Sequence, residues 1–397
     1  MRILMSLAEK GFPPDIRIEK EARSLMEAGH DLFLLCPAGP DSLAEETVEG
    51  IEVTRVVMPR GLFKLRTSVL YLLTLVDQFW KRQTARLVER RRIEALHIHD
   101  LPMVKTGLYV AREFGIPVVA DLHEIYPLAA RVWSSKWTWK HELVYRIQRW
   151  ERVERFCVRS ADRVITVVEE AKTYYVERCG ADPDKVVVVM NTEDPDLFLS
   201  LPVDEAIVDR YRDHFTISYV GGFGPHRGVE TAILAMPSIL QEVPNARLLL
   251  VGTGDDEDHL MRLAASLGLQ DSVEFTGWQP SRLVPSYIRA SRVCLIPYRA
   301  TGHTDRSCPH KLFQYMVLGK PVVVSSMTSL SRLVTETGAG LVYPAGDASK
   351  LAEAVVRISR DGDLAMRLSS AGRQAVAARY NWQADGGKLA ELYEGLS

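Results

Sequence analysis

The sequence has no cysteine pairs, no long apolar run and no marked excess of charge of either sign. Its five cysteines are an odd set without a C-x-x-C pair, which argues against a disulfide framework and structural zinc and is typical of a reducing compartment. A net charge of −2 gives no electrostatic reason to expect nucleic acid. No uncharged apolar stretch reaches the roughly 18 residues of a membrane span, and the first apolar run is too short for a secretory signal. We therefore expect a cytoplasmic protein.

The motifs of several enzyme classes are missing as well. There is no G-x-S-x-G, no G-x-x-x-x-G-K-[ST] and no H-E-x-x-H, so an esterase, a P-loop enzyme and a zinc protease have no motif to support them. One D-x-D pair, Asp256 and Asp258, follows a G-x-G turn and opens a predicted helix. Carboxylates in that position commonly stabilise the helix start, so we expect no metal.

What the sequence does contain is a repeated alternation of short apolar runs and amphipathic helical stretches. This alternation is typical of parallel sheets covered by helices, and 397 residues suffice for two domains. It is interrupted by a stretch that has neither period and carries two prolines. We predict an α/β protein with two Rossmann-like, doubly wound parallel-sheet domains facing across a cleft, over residues 1–195 and 215–374, with 196–214 as the linker. Ligands of such sheets bind at the carboxyl ends of the strands.

A glycine-rich turn follows the first predicted strand of the second half. In "YVGGFGPHRGVETA", Gly221, Gly222 and Gly224 would let backbone N–H groups approach an anion, and Arg227 stands at the start of the next helix. From Gly222 the third glycine comes one residue too late for the dinucleotide fingerprint. The alternative is a tight turn that simply requires glycine. Later strand ends place four more candidates for ligand contact: Gly252, Gly254, Gly277 and Trp278.

A polar loop with several cations precedes another helix, in "HTDRSCPHKLFQYMVLGKP". Pro309 at the first turn and Gly319 as the stop predict a helix over 309–318. A cation and an amide three residues apart share a face and suit a phosphate and a sugar hydroxyl; the alternative is a solvated face. The candidate binding residues of this stretch are Asp305, Arg306, Ser307, His310, Lys311 and Gln314.

In the first half, two predicted strands end in a histidine followed by an acid. The pairs are His99 with Asp100 and His123 with Glu124. Histidine titrates near neutrality, so each pair is a candidate for acid–base or orienting chemistry. A structural role is the alternative for each histidine.

Two stretches combine cations with apolar or aromatic residues. Residues 55–92 hold ten Lys or Arg against two acids around "SVLYLLTLV", and residues 131–150 interleave cations with Trp133, Trp137, Trp139 and Trp150. Such a surface suits contact with an anionic membrane at its inner face. The alternative is that the leucines are core and the charges a solvated helix face.

Taken together, the chain resembles family 4 retaining glycosyltransferases of the GT-B type (glycosyl transferases group 1). The resemblance covers nearly the whole length. It rests on "FPPDIRIEKEARSLMEAGHDL", "HIHDLP", "DLHEIYP", "VGGFGPHRGVETA", "VGTGDDE", "VEFTGW", "HKLFQYMVLGKPVV" and the ending around Trp382.

The resemblance implies that the two domains bind different substrates. The second domain would hold the nucleotide-sugar, with Arg227 and Lys311 on the diphosphate and Gly277 and Trp278 beside the base, UDP being the nucleotide we expect. The first would take the acceptor, with His123 near the reacting sugar and a last helix over 375–397 completing the domain. The acceptor-side candidates are Asp15, Arg17, His99, Asp100 and Glu124.

The sequence departs from the family pattern at two informative places. The usual pair of glutamates eight residues apart aligns with Arg306 and Gln314. An amide can still hydrogen-bond ribose hydroxyls, but arginine cannot act as a carboxylate and leaves the sugar contact to Asp305 or to loop backbone. An arginine common in the family is replaced by Gly222, which removes one phosphate cation.

We therefore expect a metal-independent enzyme without a separate cofactor. It would move a sugar from a nucleotide-sugar donor to a hydroxyl acceptor, carbohydrate, lipid-linked or small, with retention, in polysaccharide or glycoconjugate synthesis. No carboxylate stands out as a covalent nucleophile, which favours same-face attack assisted by the leaving phosphate. The alternatives are a non-catalytic nucleotide-sugar-binding subunit and a nucleotide-sugar epimerase of the same fold.

Overall fold

The strands of the protein form where the sequence has short runs of valine, isoleucine and leucine. The structure, a computed structural model, describes residues 1–8, 11–40, 42–59, 70–132 and 147–396. The chain divides into two units, each built on one sheet. The first unit comprises Met1–Pro127, residues 147–190 and residues 385–396; the second comprises residues 128–132 and Asn191–Ala384.

The sheet of the first unit has eight strands in the order β3-β4-β2-β1-β5-β6-β7-β8. All neighbours are parallel except β3 and β4. The strands are β1 Arg2–Ser6, β2 Asp31–Pro37, β3 Glu45–Val48, β4 Ile51–Val56, β5 Ala95–His99, β6 Val118–Leu122, β7 Arg163–Thr166 and β8 Val186–Val188. The helices are α1 Ile16–Glu27, α2 Gln78–Arg91, α3 Leu101–Phe114, α4 Tyr126–Ala130, α5 Ile147–Ser160 and α6 Glu169–Glu177; the last three residues of α4 are assigned to the second unit.

The sheet of the second unit has six parallel strands in the order β11-β10-β9-β12-β13-β14. The strands are β9 Phe215–Val220, β10 Ala246–Val251, β11 Val273–Phe275, β12 Val293–Ile296, β13 Val322–Ser325 and β14 Gly340–Tyr343. The helices are α7 Pro195–Ser200, α8 Glu205–Arg210, α9 Val229–Glu242, α10 Glu257–Ser266, α11 Val284–Ala290, α12 Lys311–Val317, α13 Thr328–Thr337, α14 Ala348–Arg360, α15 Gly362–Ala378 and α16 Trp382–Glu394.

The structure differs from the predicted domain plan in two places. Residues 196–214, predicted as a linker, contain α7 and α8 within the second unit, because Asp194 and Asp204 cap the first amides of these helices. The predicted helix over 375–397 is two helices, α15 and α16, broken where the Asn381 side chain accepts a hydrogen bond from Ala384 N. From Asp385 onward the last helix belongs to the first unit.

The two stretches considered as a membrane-facing surface contain both exposed and buried apolar side chains. Leu72 and Leu73 are 48% and 68% exposed, whereas Leu75 and Val76 are buried. Trp150 is buried against Tyr126, with ring centroids 4.7 Å apart, so its predicted surface position is wrong. Residues 60–69 and Trp133, Trp137 and Trp139 lie outside the described residues. Within the described chain, no helix combines the length and the apolar composition that a membrane span requires.

Candidate active site

The glycine turns of the second unit pack against one another. A Cβ at Gly252 would lie 2.2 Å from Gly221 O, and one at Gly254 would lie 2.5 Å from Phe223 N. The loop after β10 therefore approaches the loop after β9 so closely that only glycine fits. Gly277 joins the same set, since its carbonyl accepts a hydrogen bond from Gly252 N at 3.0 Å. These three glycines shape the strand-end loops through backbone packing.

Gly221, Gly222 and Gly224 occupy a different part of these loops. Gly221 has a φ of +136°, which only glycine adopts readily. Tyr219 Oη donates a hydrogen bond to Gly222 O at 2.8 Å and fixes the turn. A Cβ at Gly222 would come no closer than 3.7 Å to Thr253 O, so this glycine is not required by packing. At Gly222 the turn therefore leaves open backbone beside the end of β9.

Lys311 lies next to this turn and is 9% exposed. Its Nζ is 3.7 Å from the ring centroid of Tyr219 and has no hydrogen-bond partner among the described residues. The alternative of a solvated face is therefore wrong for this residue. Burial, together with the positive charge of Arg227, holds the pKa of Lys311 well below its usual value. An anion beside the ammonium would restore its charge and supply the missing hydrogen bonds.

Arg227 is the second cation of this group. It ends a short 3₁₀ turn over Pro225–Arg227, and its guanidinium donates to Tyr298 Oη and lies 4.9 Å from that ring's centroid. Lys311 Nζ lies 5.3 Å from the same ring. The aromatic faces thus hold two basic groups close together, an arrangement that favours a multiply charged anion.

The loop before α12 is held by three of the predicted binding residues. Asp305 Oδ1 accepts hydrogen bonds from Thr328 N at 2.8 Å and Thr328 Oγ1 at 3.1 Å, which caps α13. Arg306 donates to Gly302 O at 2.9 Å, and Ser307 Oγ donates to Thr304 O at 3.1 Å. Their polar groups organise the loop itself.

His310 and Gln314 meet a carboxylate that sequence reasoning did not single out. Glu193 Oε2 lies 2.9 Å from Gln314 Nε2 and 2.9 Å from His310 Nε2. Glu193 follows β8 in the sequence, more than 100 positions before its partners, so only the fold brings them together.

Trp278, the predicted base neighbour, is 71% exposed.

In the first unit, Asp121 is the centre of a buried polar cluster. Arg17 donates to both of its oxygens, at 3.0 and 2.8 Å. Asp121 Oδ2 lies 3.1 Å from His99 Nδ1 and 2.7 Å from His123 Nε2, while His123 Nδ1 is 3.3 Å from Asp100 Oδ1. The structure thus pairs His99 with Asp121 rather than with Asp100, and His123 with both aspartates.

Charge in this cluster is fixed by its neighbours. Burial by itself would raise the pKa of Asp121, but Arg17 and His123 hold it well below the usual value. Burial would likewise lower the pKa of His123, yet Asp121 and Asp100 raise it to about 9. Near neutral pH His123 is therefore a cation with both ring nitrogens directed at carboxylates, which suits an orienting group better than a general base.

Two further predicted residues have structural partners. Asp15 accepts hydrogen bonds from Arg17 N at 3.0 Å and Ile18 N at 3.2 Å and so caps α1. The backbone oxygen of Glu124 accepts from Tyr175 Oη at 3.2 Å.

Four buried groups of the cluster could ligate one cation, because their ligand atoms lie within 4.8 Å of one another: Glu21, His97, His99 and Asp121. Arg17 contacts both carboxylates of this set, with 2.9 Å to Glu21 and 2.8 Å to Asp121. Its guanidinium already supplies positive charge there. Burial of Glu21 raises its pKa to about 8, so the set does not hold two full negative charges near neutral pH.

Two family models match successive parts of the chain. The model described as "Glycosyl transferase 4-like domain" matches residues 15–192, and the one described as "Glycosyl transferases group 1" matches residues 203–375. Together they cover most of the 397 residues.

The chain is also similar to curated proteins and to solved structures, some of them over nearly its whole length. A phosphatidyl-myo-inositol mannosyltransferase of Mycobacterium leprae is 24% identical over 384 residues, 94% of this chain and 90% of that protein. Sucrose-phosphate synthase from Thermosynechococcus elongatus superposes with a TM-score of 0.79 at 20% identity, over 100% of this chain and 98% of that one. An Anabaena protein solved with UDP and glucose gives 0.74 at 16% identity, over 100% of both chains. At these identities the structural likeness shows the fold alone.

Proposed function

Since the chain belongs to the group 1 glycosyltransferases and has their GT-B fold, it is an enzyme of glycosyl transfer, and we propose that its donor is a UDP-sugar. Lys311 is the observation that supports this most directly. Its ammonium is buried, has no hydrogen-bond partner among the described residues, and lies beside the Gly221 turn. A nucleoside diphosphate would neutralise it together with Arg227.

The two cations have a defined task in this reaction. Transfer breaks the bond between the sugar and the diphosphate, so negative charge grows on the leaving oxygen. Arg227 and Lys311 would stabilise that charge from fixed positions on Tyr298 and Tyr219. They would provide what a divalent ion provides in other transferases, so we expect transfer without metal.

The nucleotide is placed by the neighbouring loops in this proposal. The open strand-end backbone at Gly277 and the exposed Trp278 would lie beside the base. The Anabaena structure that shares the fold was solved with UDP and glucose, which supports a uridine nucleotide as the first to test.

Retention at the anomeric carbon would follow from attack on the face that the diphosphate leaves. In this scheme the departing phosphate oxygen takes the acceptor proton, so no protein carboxylate becomes bonded to the sugar. His123 would orient the donor sugar as a cation, since Asp121 and Asp100 keep it protonated. The acceptor would then need only a hydroxyl group.

A lipid-linked or sugar acceptor of polysaccharide or glycoconjugate synthesis fits this reading. The M. leprae relative is by name a transferase to phosphatidyl-myo-inositol. Leu72 and Leu73 give the first unit exposed apolar side chains, and Lys81 and Arg82 follow closely in the sequence. Such a surface would let the enzyme contact an anionic membrane from its inner face.

Calorimetric binding of UDP in the presence of EDTA tests the proposal. The wild-type protein should bind UDP without metal. Arg227→Ala should lower the affinity for UDP at least tenfold and leave the affinity for uridine unchanged, since hydrogen bonds between charged groups are the stronger ones. Arg262→Ala, an exposed arginine of the same unit, is the matched control. Equal losses for UDP and uridine would remove Arg227 from the phosphate site. Consumption of a UDP-sugar without any acceptor would indicate an epimerase, and binding without turnover a non-catalytic subunit.

A further inference from the structure

A carboxylate lies directly behind the predicted ribose contact. Gln314 Nε2 donates to Glu193 Oε2 at 2.9 Å. The same oxygen is 2.9 Å from His310 Nε2, an ion-pair distance without a hydrogen bond. Position 314 thus carries a neutral amide, and the carboxylate that accepts its hydrogen bond belongs to Glu193.

Glu193 is held in place by its own surroundings. Its side chain is 8% exposed, whereas that of His310 is 26% exposed. Its other carboxylate oxygen accepts from Asp194 N at 2.9 Å, and its backbone oxygen accepts from Trp382 N at 2.9 Å. Both the backbone and the far oxygen are thus fixed, which aims Oε2 at the amide and the imidazole.

The pairing decides which way the amide of Gln314 points. A carboxylate can only accept hydrogen bonds, so the NH₂ group must face Glu193. The amide oxygen then faces the opposite side. An N–H that donates to an anion also polarises the amide and strengthens the acceptor at its far end.

We propose that Glu193 is a positioning residue for the donor, which fixes the Gln314 amide with its oxygen toward the ribose hydroxyls of the bound nucleotide. This inference rests on the proposed function, because it requires a ribonucleotide in the site. It adds a role for a residue in the segment after β8, outside the loops that hold the cations.

Exchange of the two groups tests this arrangement. The measured quantity is the preference for UDP over 2′-deoxy-UDP, given by the ratio of their dissociation constants. Glu193→Gln should reduce this preference about fivefold to tenfold, the worth of one hydrogen bond, because either amide can then flip. Gln314→Glu should do the same, because two carboxylates would face each other. The double variant with Glu193→Gln and Gln314→Glu should restore the preference, since one carboxylate and one amide again form the pair.

A purely structural role would give a different pattern. In that case the single variants would lower the melting temperature without changing the UDP to 2′-deoxy-UDP ratio, and the double variant would restore nothing in that ratio. Either result overturns the inference. Glu336→Gln is the control. Glu336, in α13, also accepts a hydrogen bond from another side chain, Tyr380 Oη at 3.2 Å. A wild-type protein that binds no nucleoside diphosphate would overturn the proposed function and this inference with it.

Discussion

A Cβ on Gly221 would lie 2.5 Å from the Nζ of Lys311. The ammonium thus occupies the space that any side chain at position 221 would need. The pair links the shape of the glycine turn to the position of the charge.

Gly221→Ala should therefore displace Lys311 and lower the affinity for UDP. The strain of a φ of +136° adds to the displacement, and we expect at least a tenfold loss of affinity, measured by calorimetry, in a protein that still folds. Gly268→Ala is the control, because Gly268 also has a positive φ, +68°, but nothing within 4 Å of its Cβ position. If both variants bind UDP equally well, the turn does not act through Lys311.

Lys311→Met should separate stability from binding. Because the pKa of Lys311 in the folded protein lies below its ordinary value, the ammonium opposes folding at every pH below that lowered pKa. The variant should melt at a higher temperature without ligand at neutral pH, and should bind UDP about tenfold to a hundredfold more weakly.

The control for Lys311→Met is Lys320→Met. Lys320 is also a lysine with a pKa lowered by burial, but its Nζ donates to Arg289 O and Ser291 O, both at 2.7 Å. Its removal should lower the melting temperature and leave UDP affinity unchanged. A Lys311→Met protein that is destabilised to the same extent would argue against an unsatisfied ammonium.

His123 should make stability depend on pH above neutrality. Burial would lower its pKa, but Asp121 and Asp100 raise it to about 9. The contribution of the cation is complete below about pH 6.5 and is lost as the pH rises through 9. Between these values the wild type should lose about 2 kcal/mol more unfolding free energy than His123→Gln, which donates to Asp121 without titrating. Denaturant titrations at pH 6.5, 8 and 9.5 measure the difference, and parallel profiles would contradict it.

The exposed leucines should contribute to the binding of lipid vesicles and not to the binding of UDP. Replacement of Leu72 and Leu73 by serine should reduce co-sedimentation with anionic vesicles. Binding of the wild-type protein to these vesicles should decrease as the salt concentration rises. Met366→Ser is the control, since Met366 is 64% exposed on α15 of the other unit. UDP affinity should be the same in all three proteins. Vesicles that never retain the wild type would exclude this surface.

The sheets could be predicted because buried parallel strands read as continuous apolar runs. The strand predicted to end at His99 is β5, Ala95–His99. Strand β3 has no such run to predict it, because "EETV" is polar and half-exposed at an antiparallel edge. Asp121 was missed although its register partner in β5 is His99. The alternation of a strand places Asp121 and His123, two residues apart, on one side, and that signal could have found the cluster.

Other parts of the site depend on distances that a sequence does not contain. The helix over 309–318 was predicted with Lys311 and Gln314 on one face, but no local pattern shows that the aromatic rings of Tyr219 and Tyr298 bury the lysine. Glu193 lies more than 100 residues from Gln314 in the chain, and no local pattern joins them. Such contacts arise from the order of strands in the sheet and not from the periodicity of any one segment.

The five cysteines form no disulfide, and all of them are buried. Cys36, Cys157 and Cys179 lie in the first unit, whereas Cys294 and Cys308 lie in the second. Each unit therefore contains its own internal reporters of opening, because a thiol reagent reaches a buried sulfur only when the surrounding structure unfolds. Identification of the alkylated peptides over time would give the opening rate of each unit separately in the unmodified wild-type chain, and added UDP should slow the labelling of Cys294 and Cys308 first.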